Sequence, residues 1–350
     1  GSNNMKAIAL TGIRKMELQQ IPDPVIQNEN EVMIRMNSVG ICGSDVHYYS
    51  SGKIGEQQVV FPWIVGHEGA GVVESIGKSV TSVQPGDRIA IDPAMPCGNC
   101  DQCLAGRHHT CRNLKFLACP GQAAGCLSEF IILPESSCFP LSDRLTFDQA
   151  VISEPLAVGV YAVKKAANIK NSTIGVLGTG PIGLSVIMAA KVAGAANIYA
   201  TDKLDNRLAI AKRAGADWTG NPLNQDIIKD IKKIEPQELD VIFECCGSQE
   251  AFDQALHLLK PGGKLMIIGI PQFDRFSFLV DLGRRKEVCL QNVRRQVDCV
   301  DSALDLIETG RTPVEIMITH HFNLSETQDA FELASNYSDG IIKGIVNISY

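Results

Sequence analysis

Apolar and polar positions follow two different rhythms along the chain, and the change falls near residue 155. From Met5 to about Pro155, short β-rich runs are punctuated by glycine and proline. Glu31–Val39, Gly71–Ile76 and Asp87–Ile91 are examples, the last led in by the turn Gln84-Pro85-Gly86-Asp87. Such runs predict an irregular β domain. From Thr173, apolar strands at Thr173–Leu177, Asn197–Thr201, Val241–Glu244 and Lys264–Gly269 alternate with helical stretches at Ile182–Ala193, Asp205–Ala214 and Gln249–Leu259. That alternation predicts a parallel sheet covered by helices on both faces, an α/β arrangement. Gly215-Ala216-Asp217 and Pro261-Gly262-Gly263 read as turns feeding later strands. After about Leu290, a helix around Cys299–Thr309 and strand-like pieces at His320–Phe322 and Gly344–Ser349 fit either domain.

Composition narrows the function classes. At 350 residues the chain exceeds the usual single core, and two domains are expected. A formal net charge of −7 gives no electrostatic footprint for nucleic acid or an anionic membrane surface. No apolar run approaches the ~20 residues of a membrane span. Gly1 to Asn4 read as a remnant ahead of Met5, with no charged-then-apolar leader after it. Twelve cysteines without an export signal read as reduced thiols, and the expected location is the cytoplasm.

Three groups of residues carry chemistry. Cys97, Cys100, Cys103 and Cys111, spaced C-x2-C-x2-C-x7-C, satisfy a tetrahedral zinc ion and leave no position open, so residues 96–112 form a structural lobe. Gly178, Thr179, Gly180, Pro181, Ile182 and Gly183 form a G-x-G-x-x-G that follows an apolar strand and opens a helix, the arrangement that cradles a dinucleotide pyrophosphate. Asp202, 19 residues after Gly183, suits the ribose hydroxyls and favours NAD over NADP. Lys203 and Arg207 lie close by, as a phosphate contact or as ordinary solvated charges. The third group is Cys42, His67 with Glu68, and Glu154: a thiolate, an imidazole and carboxylates leave one position of a zinc ion open to an alcohol. Sequence order alone does not bring these residues together.

Gly66-His67-Glu68-Gly69-Ala70-Gly71, the four-cysteine lobe, Val83–Ile89 and the Gly178–Gly183 loop resemble the zinc-dependent medium-chain dehydrogenase family over nearly the whole chain. Gly43–Tyr49, Gly52-Lys53-Ile54-Gly55 and Glu154–Gly159 resemble its polyol branch, the sorbitol, xylitol and L-iditol dehydrogenases. The resemblance implies a GroES-like β domain from residues 1–155 and 291–350, with a Rossmann NAD-binding domain at 156–290. It implies two zinc ions per subunit, catalytic and structural, and a homotetramer or homodimer, with Lys264–Ile270 either a candidate contact or an internal strand. By position, Cys42 and His67 ligate zinc, and of Glu68 and Glu154 one ligates while the other acts through water. Ser44 and His47 carry the alcohol proton outward; Ser44 also suits a helix N-cap.

Two positions depart from that branch. Arg294 matches its polyol-binding arginine, while Arg295 replaces a tyrosine and would favour an acidic substrate if it faced the pocket. Cys119 stands about where relatives offer a threonine, with Phe116 as a pocket wall and Trp63 either narrowing the pocket or filling the core. The expected reaction is NAD-dependent oxidation of a polyol's secondary hydroxyl to a ketose. The alternatives are a sugar acid of the gulonate, galactonate or idonate type, threonine, or a non-catalytic nucleotide-binding relative.

Overall fold

A computed structural model describes residues 3–348. The chain forms two compact units, one built from residues up to Glu154 together with Ile318 onward, the other from Pro155–Met317.

The first unit centres on a seven-stranded sheet in which Cys138–Pro140, Arg88–Ile91, Glu68–Ile76, Glu31–Gly40, Lys343–Asn347 and Ile318–Asn323 lie in that order, with Phe130–Pro134 also paired to Glu31–Gly40. All pairs are antiparallel except that between Ile318–Asn323 and Lys343–Asn347. Val32, Ile34 and Met36 alternate inward along Glu31–Gly40 and join Ile89, Ile91, Leu127 and Leu133 in the core.

The second unit is a six-stranded parallel sheet ordered Trp218–Gly220, Asn197–Thr201, Thr173–Leu177, Leu239–Glu244, Leu259–Ile267, Cys289–Asn292. In chain order this is 3-2-1-4-5-6, which places the reversal of strand order beside Thr173–Leu177 and hence beside the glycine loop that follows it. The helices Pro181–Val192, Asp205–Ala214 and Gln249–Leu258 fall where the apolar spacing predicts them.

Five features depart from the sequence reading or decide between its alternatives. Glu154 and Pro155 lie within a 20-residue helix, Phe147–Ala166, which the proline does not break. The return to the first unit falls at Ile318 rather than at residue 291. Cys289–Asn292 pairs in parallel with Leu259–Ile267 and so extends the second sheet, a long-range pairing that a four-residue run does not announce. Leu259–Ile267 is an internal strand, so Lys264–Ile267 does not form the sheet edge. Finally, Pro261-Gly262-Gly263 is an irregularity inside that strand, where pairing with Leu239–Glu244 shifts register, and not a turn ahead of it.

Candidate functional site

Cys42 follows the strand Glu31–Gly40 and is the N-cap of the helix Gly43–Ser51. His67 directly precedes the strand Glu68–Ile76, whose first residue pairs with Gly40. This register brings together what the sequence holds apart: one donor atom from each of Cys42, His67 and Glu68 lies within 4.8 Å of the other two. Gly40 makes the crossing possible, because a Cβ there would stand 2.6 Å from Oε2 of Glu68.

Two residues that the sequence reading passed over complete the centre. Asp45 is fully buried; it accepts the Gly66 backbone N–H at 3.0 Å, and its Oδ1 and Oδ2 lie 3.4 and 3.3 Å from Nδ1 of His67. With Nδ1 turned to a carboxylate, Nε2 is the nitrogen left for a metal. Lys343 reaches Glu68 from near the end of the chain. Its Nζ donates to Oε2 at 2.7 Å, to Oε1 at 3.1 Å and to the Ile41 carbonyl at 2.8 Å, and both charged side chains are 1% exposed. Gly40 sits between Glu68 and Ile345 in the sheet, which is how these distant segments meet. A lone lysine inside the apolar run Ile341–Val346 was the available signal, since a buried ammonium needs a buried anion.

The electrostatics favour a cation at this centre. Burial and the Glu154 charge raise the pKa of Glu68 against the lowering effect of Lys343. Burial opposes charge on His67, yet Asp45 and Cys42 carry its pKa well above the ordinary value. Burial likewise opposes charge on Lys343, and Glu68 and Cys42 more than offset it. Anionic groups thus outnumber cationic ones around Cys42, His67 and Glu68. A thiolate, an imidazole and a carboxylate form a donor set that fits zinc with one position open.

Ser44 Oγ lies 3.5 Å from Cys42 Sγ. The helix begins at Gly43, so Cys42 and not Ser44 takes the N-cap. His47 is three residues further, on the same helical face, and burial holds its pKa below the ordinary value. Glu154 is buried and acts on Glu68 through its charge, but the three-donor group does not include it. The Phe116 ring centre lies 5.3 Å from that of His67.

Cys97, Cys100, Cys103 and Cys111 bring their sulfurs within 4.8 Å of one another. Backbone N–H groups point at these sulfurs: Cys97 N donates to Cys111 Sγ at 3.2 Å, and Cys103 N to Cys100 Sγ at 3.5 Å. Hydrogen bonds led by the Asn99 N–H lower the Cys97 thiol to about 6, while loss of solvent pushes Cys103 up to about 12. Four thiolates close a tetrahedral zinc shell and leave no position for substrate. Cys103→Ser is expected to release one zinc per chain and lower the thermal unfolding midpoint while the second zinc stays. Metal analysis alongside a melting curve checks this, and loss of both metals would contradict it.

In the second unit, Gly178–Gly183 joins the strand Thr173–Leu177 to the helix Pro181–Val192, with Gly180 as N-cap and Pro181 at the first helical turn. Only glycine fits position 183, where a Cβ would stand 1.8 Å from the Gly178 carbonyl oxygen. Asp202 follows the strand Asn197–Thr201. Its Oδ2 accepts from Thr179 N at 2.8 Å and Thr179 Oγ1 at 3.3 Å, and its Oδ1 accepts from Leu204 N at 2.9 Å. Asp202 therefore ties down the loop as well as placing a carboxylate beside it. Lys203 turns to Glu250 at 3.1 Å, whereas a Cβ on Gly180 would stand 3.0 Å from Nη1 of Arg207.

Residues 28–143 match the alcohol dehydrogenase GroES-like domain and residues 181–309 the zinc-binding dehydrogenase domain. A sorbitol dehydrogenase from Bacillus subtilis is 35% identical over 98% of this chain and 97% of its own. The chain belongs to the zinc-dependent medium-chain dehydrogenases. An L-idonate 5-dehydrogenase from Vitis vinifera is 32% identical over 97% of this chain and 94% of its own. Among solved structures, an oxidoreductase/dehydrogenase of unknown specificity from Escherichia coli superposes with a TM-score of 0.94 at 34% identity, covering 99% of this chain and 100% of the other.

The dehydrogenase uses zinc and NAD, and the residues above fit both groups. No helix among its described residues is long and apolar enough to cross a membrane. Arg294 and Arg295 follow the edge strand of the second unit, Arg294 exposed and Arg295 half-buried with φ at 47°.

Proposed function

We propose that the dehydrogenase oxidises a secondary hydroxyl of a polyol to the ketose, with NAD as hydride acceptor. The donor set Cys42, His67 and Glu68, with its open fourth position, carries this reading. The full-length likeness to a sorbitol dehydrogenase supports the substrate class. Bound zinc supplies a Lewis acid that polarises the substrate hydroxyl. Asp45 fixes the His67 ring, and Lys343 holds Glu68 and offsets its charge. Ser44 and His47 form a relay for the hydroxyl proton, since each can accept and donate. Glu154 adds a buried carboxylate that serves the centre through water. Asp202 supports NAD over NADP because a carboxylate beside the loop repels a 2′-phosphate.

The relay makes a pH prediction. Burial keeps the His47 pKa below its ordinary 6.5, so the neutral, proton-accepting ring prevails above that pH. The acid limb of kcat/KM should therefore lie below pH 6.5, with activity rising as pH increases through it. His47→Asn is expected to lower kcat by roughly 10²-fold and flatten that limb. An unchanged pH profile in the variant would remove His47 from the relay.

A second reading rests on Arg294-Arg295 and on the likeness to an L-idonate dehydrogenase, which together favour a sugar acid. Initial rates of NADH formation across sorbitol, xylitol, galactitol, threonine, gulonate and galactonate separate the two. The polyol reading expects the neutral compounds to dominate, and turnover confined to the acids would overturn it.

We also infer self-association into dimers or tetramers through the exposed edge strand Cys289–Asn292. Exposed apolar side chains at Ile270, Phe273, Phe278, Val280 and Leu290 support this. The free cysteines and the two thiol-bearing metal sites favour a reducing compartment, the cytoplasm.

A further inference from the structure

Ala118 has a backbone φ of 68°, in the left-handed region that alanine rarely adopts, and it is almost fully buried. Such a conformation persists only where its surroundings enforce it. Two hydrogen bonds close the loop around it: Cys119 N donates to Phe116 O at 3.2 Å, and Gln122 N to Cys119 O at 3.0 Å. A third comes from outside the loop, where the indole Nε1 of Trp63 donates to the Ala118 carbonyl at 2.9 Å. The Trp63 backbone is itself anchored, since it exchanges two hydrogen bonds with Leu10, at 2.9 and 2.7 Å.

The reversal at Ala118 decides where two neighbouring side chains go. Phe116 lies against the ring of His67. Cys119 lies against the hydroxyl of Tyr48, which also stands 3.4 Å from Oε1 of Gln57. Tyr48 is on the helix that carries Ser44 and His47. One turn thus places an aromatic ring against His67 and a thiol against the hydroxyl of Tyr48, on the helix that Cys42 caps.

We propose that Trp63 is a positioning residue for substrate selection: its indole N–H holds the left-handed turn at Ala118, and that turn sets the Phe116 and Cys119 walls beside the metal centre. The inference rests on the polyol reading for what those walls contact, though not for the brace itself. Trp63 touches no reacting atom, so its loss acts through the wall. A wall that contacts substrate equally in ground and transition states affects KM more than kcat.

The test uses Trp63→Phe, which keeps the aromatic bulk and the backbone bonds to Leu10 but removes the donor. Two readouts follow: the rate of iodoacetamide alkylation of Cys119, resolved by peptide mapping, and steady-state kinetics with sorbitol and with 2-propanol, too short to reach the wall. Loss of a hydrogen bond to a buried carbonyl is expected to raise Cys119 alkylation roughly tenfold. KM for sorbitol should rise several-fold, with kcat within about two-fold and 2-propanol kinetics unchanged. Adding Ala118→Gly, which adopts the turn without a donor, should restore both readouts. Unchanged alkylation in Trp63→Phe would overturn the proposal, and so would a defect that Ala118→Gly fails to rescue, since that marks plain core packing. Alkylation needs no turnover, so it decides the brace even if sorbitol proves not to be a substrate.

Discussion

Replacing Lys343 by methionine is expected to destabilise the metal-free protein by about 3–5 kcal/mol, a large share of a typical folding free energy. The pair it breaks is fully buried, and Glu68 receives two of its hydrogen bonds from the one ammonium group. Methionine fills the space but leaves a carboxylate without a cation, so Glu68 must stay charged and unpaired or take up a proton. Burial already disfavours the unpaired charge, and protonation, though eased by that burial, still gives up the attraction to the ammonium. Lys343→Arg keeps the charge and should recover much of the loss. Denaturant unfolding after zinc removal checks the difference. A loss below ~1 kcal/mol would show that Lys343 and Glu68 are not coupled as the distances imply.

Cys42→Ala carries the largest expected effect on activity. Removing the thiolate from a three-donor set should lower kcat/KM by roughly 10³-fold or more, since a Lewis acid supplies several kcal/mol to the reaction. The fold should survive, because Cys42 caps its helix through the backbone alone, with no side-chain hydrogen bond in the cap. Zinc content should fall from two per chain to one, the four-cysteine lobe keeping its ion. Atomic absorption and kinetics on the same preparation check both halves. An intact zinc complement with full activity would remove Cys42 from the centre.

Much of this was legible in the sequence, for identifiable reasons. The parallel sheet could be read because its four central strands carry apolar runs that alternate with helices of clear spacing. The four-cysteine lobe and the glycine loop are local motifs whose chemistry follows from spacing alone. The metal centre was legible only as candidates, because Cys42, His67 and Glu68 meet through strand register, a long-range property. Lys343 stayed hidden for the same reason: it lies 275 residues from its partner. Asp45 stands within the Gly43–Tyr49 stretch, but nothing local says that it turns inward to His67. The late return at Ile318 depended on Cys289–Asn292 finding an edge that no pattern in those four residues specifies.

Chelation and reconstitution test the central claim most directly. NADH formation from sorbitol is measured before treatment with o-phenanthroline, after it, and again after zinc is restored. A zinc-dependent dehydrogenase built on Cys42, His67 and Glu68 predicts that chelation abolishes turnover and that zinc restores it. Turnover that persists with the Cys42–His67–Glu68 centre stripped of zinc would contradict the account.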